Sequence, residues 1–199
     1  DSIKTSRGIL KENELKLFQA LELQTTIFDN SGYMIIRTDT NGIIKQINKE
    51  AEKLLGYSAE ELVDKHTPEI IHLESENELR AKEFSKELNQ NIIPGFDVFV
   101  AKTNLGLLNE HEWTYVTKDG EHLPILLSVT SLKNKDNEIS GYLGIGRDIT
   151  QRKLMASQAK LASMGEMIGN IAHQWRQPLS VISTIASGVK VRNELDILD

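Results

Sequence analysis

The chain has 199 residues, 39% hydrophobic and 26% charged, with a formal net charge of -6 and no cysteine. That length suits one domain of ordinary size with flanking elements and is tight for two full domains. An acidic chain without a Lys/Arg block offers no surface for nucleic-acid phosphates. Without cysteine, disulfides, Cys-ligated zinc, iron–sulfur clusters, thiol nucleophiles and cysteinyl–flavin photochemistry are excluded.

Residues 1–29 carry a polar helical pattern with Leu10, Leu17, Leu21 and Phe28 at heptad-like spacing, interrupted by Glu14 and Gln24. Two readings fit it: a coiled coil, or an amphipathic helix lying on the next domain. Asn30, Ser31 and Gly32 end the helix. No apolar run in the chain reaches bilayer-spanning length and no signal peptide opens it. We therefore expect a soluble, cytoplasmic piece of a longer protein, with any membrane anchoring supplied by segments outside this chain.

Residues 30–150 are mixed. Met34 to Asp39 and Ile43 to Ile47 read as short strands around Asn41-Gly42, a hairpin signal. Asn48 is placed to cap a short helix carrying Ala51, Leu54 and Leu55, and Ser58 caps another through Glu61 at capping-box spacing. Glu74 to Leu88 reads as a charged helix with Leu79 and Phe84 inward. Phe96 to Leu108 is apolar after Pro94-Gly95 and fits more than one state. Strands follow at Glu110 to Thr117, His122 to Leu132 and Ser140 to Ile149, with turns at Lys118-Asp119-Gly120 and Asp136-Asn137. This order predicts an α+β domain with an antiparallel sheet and helices on one face.

Residues 151–199 form one long helical pattern. Leu154, Leu161, Ile168, Trp175, Ile182 and Val189 recur every seventh residue, and Met164, Ile171 and Ile185 fill the second apolar position beside the weaker Ser157, Pro178 and Arg192. Such a helix spans roughly 70 Å at the usual rise. It cannot bury its own stripe, so a parallel homodimer through this segment is predicted.

The middle region resembles the PAS family. The residues that carry the likeness are Thr38-Asp39-Thr40-Asn41-Gly42-Ile43-Ile44, Asn48-Lys49-Glu50-Ala51, Leu55-Gly56-Tyr57-Ser58-Ala59-Glu60-Glu61-Leu62, Thr117-Lys118-Asp119-Gly120, and Gly141 to Thr150. The resemblance implies a five-stranded PAS sheet, and Asp148-Ile149-Thr150 looks like the junction that couples such sheets to output helices. Beyond it, Met164 to His173, continuing as Gln174-Trp175-Arg176-Gln177-Pro178-Leu179, is similar to the dimerisation and histidine-phosphotransfer helix of sensor histidine kinases. That likeness implies that His173 is a phosphoacceptor, that an ATP-binding domain absent from this chain brings Mg-ATP, and that a response regulator receives the phosphoryl group. The chain alone, lacking that domain, would not be a complete enzyme.

The residues suit this chemistry on their own terms. With Ile168 at the first heptad position, His173 falls at the sixth and faces away from the seam. A neutral imidazole nitrogen is a nucleophile near pH 7 without a metal. Arg176, three residues on, is placed to balance phosphate charge. Pro178 removes a backbone donor and clashes with the preceding turn, so a bend is expected after His173. Related helices often carry an acidic residue after the histidine and Asn or Thr four places on. Here those positions hold Gln174 and Gln177, amides that can orient a proton or a water but not accept a proton.

PAS relatives bind ligands in a cavity under the sheet. Alternation puts Tyr142, Gly144 and Gly146 on one face, where the glycines leave room, and His111, Trp113 and Tyr115 on one face of the strand from Glu110. An aromatic stripe of that kind more often packs a core than holds a cofactor. His72 near the Glu74 helix does not match the axial position of haem-binding relatives, where Arg80 stands, and His66, His111 and His122 show no metal-site pairing. A non-covalent flavin and an empty relay cavity both fit the residues. The leading reading is the PAS and phosphoacceptor portion of a sensor histidine kinase. The alternatives are a PAS binding and dimerisation module relaying to a different output, and a PAS domain ahead of a nucleotide cyclase, against which Gln177-Pro178-Leu179 argues.

Overall fold

The computed structural model describes the backbone of residues 2–195 and the side chains of residues 11–185, Ser187 and Lys190. The chain divides after Thr150 into two compact units. The first holds helices α1 (Ser2–Asp29), α2 (Lys49–Leu55), α3 (Ala59–Leu62), α4 (Glu74–Leu88) and α5 (Phe96–Asn104), a 3-10 turn over Pro68–Ile71, and five strands. These are β1 (Met34–Thr38), β2 (Ile44–Ile47), β3 (Glu110–Val116), β4 (His122–Lys133) and β5 (Ile139–Asp148), all antiparallel in the order β2-β1-β5-β4-β3.

Local chemistry sets the joints. Asp39 Oδ1 accepts from the backbone N–H groups of Asn41 (2.9 Å) and Ile43 (3.0 Å), which shapes the turn between β1 and β2. Gly42 closes that turn at φ +84°, and a side chain there would meet the Phe96 ring at 2.5 Å. The Ser58 N–H donates to Glu61 Oε2 (3.0 Å), the return arm of the predicted capping box. α2 ends at Gly56 in the left-handed conformation.

The core lies between the inner sheet face and α2 to α5. Met34, Ile44, Leu55, Leu62, Ile71, Val98 and Ile125 are almost wholly excluded from solvent. In α4 the inward residues are Asn77, Ala81 and Phe84, spaced by four and three as a helix requires. Leu79 lies two residues off that row and is 56% exposed, so it points outward, contrary to the sequence reading. Phe96–Asn104 is helical: Gly95 serves as its N-cap and Val98, Phe99, Val100 and Lys102 are buried.

Side chains from Lys11 to Ile27 in α1 are exposed, so the helix does not lie on its own domain. Its exit is tied down by Asn48, which is fully buried. Asn48 Nδ2 donates to the carbonyls of Phe28 and Tyr33 (2.8 Å each), while Oδ1 accepts from Ile35 N (2.9 Å) and Ala51 N (3.0 Å). One amide thus joins the end of α1, the start of β1 and the N-cap of α2.

The described part of the second unit, from Gln151, is helical throughout and belongs to α6 (Thr150–Leu195), which is 46 residues long and continuous through Pro178. Proline has no N–H to donate, so the Gln174 carbonyl lacks its usual partner one turn on. The seven-residue stripe is exposed at every described position, by 45% to 65% among Leu154, Leu161, Met164, Ile168, Ile171, Trp175, Ile182 and Ile185. The side chains of Leu10, Val189 and Arg192, also counted in the sequence stripes, lie outside the described residues.

Candidate functional site

Two places hold the residues singled out in the sequence. The first is under the sheet. A cavity of about 30 Å³ is bounded by Ile36, Thr38, His72, Phe99, Tyr115 and Gly144, among others. Two polar atoms of its lining residues, His72 Nε2 and Thr38 Oγ1, are buried without a hydrogen-bond partner. His72 enters from the loop after the 3-10 turn, where it forms an isolated bridge with Tyr115. Its Nδ1 lies 2.7 Å from the Pro68 carbonyl, an acceptor, which fixes the proton on Nδ1 and leaves Nε2 as a free acceptor. Rings surround it: Phe99 at 4.2 Å, Tyr115 at 4.5 Å and Trp113 at 5.3 Å between centroids. Burial among these rings lowers its pKa to about 4, only partly opposed by the Pro68 carbonyl, so the imidazole is neutral. The same burial raises the Tyr115 phenol above its ordinary range.

The predicted pocket residues divide. Tyr115, Tyr142 and Gly144 border the cavity, and Tyr142 donates its hydroxyl proton to Asn104 Oδ1 (2.7 Å). Trp113 does not border it; the indole packs on Phe99 and lies beneath the Arg80 guanidinium, 5.6 Å from the ring centre. Gly146 faces inward, but Ile125 and Met34 fill the space a side chain would take, at 3.0 and 3.1 Å. His72 and Thr38 are the polar groups that the strand alternation did not single out as pocket residues. A polar threonine at the inward end of β1, in register with Tyr142, was the available signal.

Room decides what fits. About 30 Å³ exceeds the roughly 10–15 Å³ that a single water needs and falls tenfold short of the about 300 Å³ typical of small-molecule sites. Haem and flavin do not fit this arrangement of Phe99, Tyr115 and His72. His72 also borders a groove lined by Glu69, Glu74 and Glu78 that is open to solvent. Among the described residues no cluster of His, Asp or Glu is placed to hold a metal ion.

The second place is α6. His173 is exposed, and with Arg176, Gln177, Ser180 and Val181 it lines a shallow surface depression. Gln174 and Pro178 lie on the same stretch of helix but outside that depression. At 100° per residue His173 stands about 140° around the helix from Ile168, on the face opposite the apolar stripe. Where the sheet ends, Asp148 Oδ1 accepts from the Thr150 N–H (2.7 Å), capping the first turn of α6, while the intervening Ile149 is buried and its N–H donates to the Pro124 carbonyl (3.0 Å).

This architecture of a five-stranded antiparallel sheet with helices packed on one face, flanked by an N-terminal helix and a long C-terminal one, defines a single-sheet α+β domain. The PAS-domain family model matches residues 30–151, and the chain belongs to that family. Its curated relatives include the signal transduction histidine-protein kinase AtoS of Escherichia coli (strain K12), 28% identical over 185 residues. Sporulation kinase C of Bacillus subtilis (strain 168) is 25% identical over 196 residues. These alignments cover 88% and 87% of this chain but only 27% and 40% of the two kinases, so the chain spans well under half of either relative. Among solved structures, the PAS domain of a protein from Colwellia psychrerythraea shares the fold, with a TM-score of 0.51 at 23% identity over 66% of this chain and 98% of that one. The PAS domain of an HTR-like protein from Haloarcula marismortui does so with a TM-score of 0.50 at 22% identity, over 70% and 99% respectively. The chain is thus a PAS sensory domain related to the sensor regions of histidine kinases. Among the described residues no helix is long and apolar enough to cross a membrane.

Proposed function

We propose that this chain is the sensory and phosphoacceptor portion of a two-component sensor histidine kinase. Residues 30–150 form the input domain, residues 1–29 an incoming signalling helix, and residues 151–199 the linker and first helix of the phosphotransfer domain. The observation that carries this reading is the position of His173. It is exposed, opposite a continuous seven-residue apolar stripe, on a helix whose first turn is capped by the last residue of the PAS sheet. Two copies paired along the stripe leave both histidines facing outward.

In the proposed reaction an imidazole nitrogen of His173 attacks the γ-phosphorus of ATP held by an ATP-binding domain outside this chain. An N–P bond forms, the bond to the β-phosphate oxygen breaks, ADP leaves and the imidazole releases a proton. Arg176 is one turn away on the accessible face and offsets the added negative charge. Gln174 and Gln177 supply amide hydrogen bonds rather than a base. Onward transfer to a response-regulator aspartate follows from the lability of the N–P bond. The missing carbonyl partner at Gln174, set by Pro178, places a weak point in the helix beside the acceptor.

The test is phosphorylation in trans. The full chain is mixed with the ATP-binding domain of a sensor histidine kinase and γ-labelled ATP. Acid-labile, base-stable label that disappears in His173→Ala supports the proposal. Label that survives in His173→Ala, or none with several such domains while the chain is folded and dimeric, rejects it in favour of a PAS module serving another output.

A further inference from the structure

Among the described residues only His72 borders both the inner cavity and the solvent-open groove, and the two spaces differ in charge. The residues around the cavity, Thr38, Phe99 and Tyr115 among them, include no charged group. The groove, about 400 Å³ in volume, is lined by the carboxylates of Glu69, Glu74 and Glu78. Among the described residues these three form no ion pair. His72 itself is only 8% exposed, with Nδ1 on the Pro68 carbonyl (2.7 Å) and Nε2 buried without a partner. Its backbone is held by its N–H on the Glu69 carbonyl (3.1 Å) and by the bridge to Tyr115.

The other charges on the elements around the imidazole are committed elsewhere. On α4, Glu76 Oε2 accepts from the Thr114 N–H (2.7 Å). Arg80 lies over Trp113 and donates to Glu83 and to the Glu112 carbonyl. On α5, Lys102 pairs with Glu87 (2.9 Å), and Asp97 is exposed and lines neither space. On β3, burial holds the Tyr115 phenol in its neutral form, and β1 offers only the Thr38 hydroxyl. A proton on Nε2 would therefore place a cation among Phe99, Trp113 and Tyr115 with no carboxylate in the cavity to offset it. In the groove the same cation meets three carboxylates.

We propose that His72 is a proton-operated latch on the inner cavity. Neutral, it packs on Phe99 and Tyr115 and closes the cavity. Protonated, it swings out with its loop to lie between Glu69, Glu74 and Glu78, giving up the Tyr115 bridge and opening the cavity to solvent. Access to the cavity, and the grip of the 3-10 turn on β3, thereby respond to acidification. The latch lies wholly within residues 30–150 and does not depend on phosphotransfer. In the open state the ring has the value of a free imidazole, about 6.5, whereas burial lowers it to about 4 in the closed state. Between those values each unit of acidification favours opening tenfold, and from pH 7.5 to 5 the opening constant rises about 30-fold.

Amide hydrogen exchange tests the latch on the unaltered full chain. The opening constant of the His72 N–H, corrected for the intrinsic pH dependence of exchange, is expected to rise about 30-fold from pH 7.5 to 5. Because the opening is local, it is also expected to exceed that of the β4–β5 ladder amides at least tenfold at pH 5. A constant that does not change over this range, or exchange no faster than the ladder, overturns the proposal. Two variants separate its parts. His72→Gln is expected to abolish the pH dependence at position 72. Glu69→Gln, Glu74→Gln and Glu78→Gln together should leave opening at pH 7.5 unchanged and lower it at least threefold at pH 5. A rise that persists without the imidazole, or opening at pH 5 undiminished without the three carboxylates, also overturns it.

Discussion

Replacing Asn48 by alanine tests how one buried amide organises the entry to this domain. Its side chain makes four hydrogen bonds of 2.8 to 3.0 Å to backbone groups of Phe28, Tyr33, Ile35 and Ala51. Alanine leaves the N–H groups of Ile35 and Ala51 without this acceptor, and leaves the Phe28 and Tyr33 carbonyls to share the single Ser31 hydroxyl (3.4 and 3.1 Å). Each such group costs on the order of 1–3 kcal/mol, less where water enters the vacated volume. Loss of the N-cap of α2 is one part of this, about 1 kcal/mol. A total near 4 kcal/mol is expected, a large share of the roughly 5–15 kcal/mol that holds a domain of this size. Urea unfolding followed by Trp113 fluorescence, in a Trp175→Phe background, measures it. With a slope of about 2 kcal/mol per molar, the midpoint falls by about 2 M. Asn48→Asp is a sharper probe. It keeps the two bonds accepted by Oδ1 but turns an oxygen toward the Phe28 and Tyr33 carbonyls, so it is expected to be no better than alanine. A loss below 1 kcal/mol for alanine, or an aspartate variant as stable as the parent, would refute the assignment of Asn48 as the joint.

Three further outcomes are expected. His72 is held neutral with a pKa near 4, against about 6.5 for a free imidazole, so the unfolded chain binds more protons between those values. Its contribution to stability is complete above pH 6.5 and falls by about 1.4 kcal/mol per unit on acidification, levelling below pH 4. The stability difference between the parent and His72→Gln should show this slope, and a difference that does not vary from pH 6.5 to 4 would contradict it. In β5, a methyl group at Gly141 would collide with the Thr38 carbonyl, whereas one at Gly144 would sit 3.5 Å from Leu127 Cδ1, an ordinary contact. Thermal unfolding should therefore show Gly141→Ala losing about 2–3 kcal/mol and Gly144→Ala less than 1 kcal/mol. In the trans-phosphorylation assay Gln174→Glu should keep or raise the rate of labelling, and a collapse would remove Gln174 from a base-side polar role.

Much of the domain was legible because its signals are local. Asn41 and Gly42 signal a turn, Ser58 and Glu61 a helix start, and alternating residues from Glu110 onward three strands, which fall within a residue or so of the observed limits. The outward orientation of His173 follows from counting along a single helix. Leu79 misled because composition, not phase, suggested burial; the row of Asn77, Ala81 and Phe84 is set by what α5 and the sheet present. Phe96 to Asn104 gave no periodic signal because nearly every side faces the core, and only packing makes it a helix.

The sequence by itself determined the order of elements apart from α5, the PAS family and the helix face that carries His173, since each depends on neighbours within a few turns of chain. The tertiary structure decided the pocket. It brought Thr38, His72 and Tyr115 from β1, the 3-10 loop and β3 to one small cavity, excluded Trp113, and filled the space beside Gly146 with Met34 and Ile125. It also turned Asn48 from a helix cap into the joint of three elements. Contacts between groups 13 to 112 residues apart are fixed by how the sheet and helices close on one another, and no local pattern encodes how much room they leave.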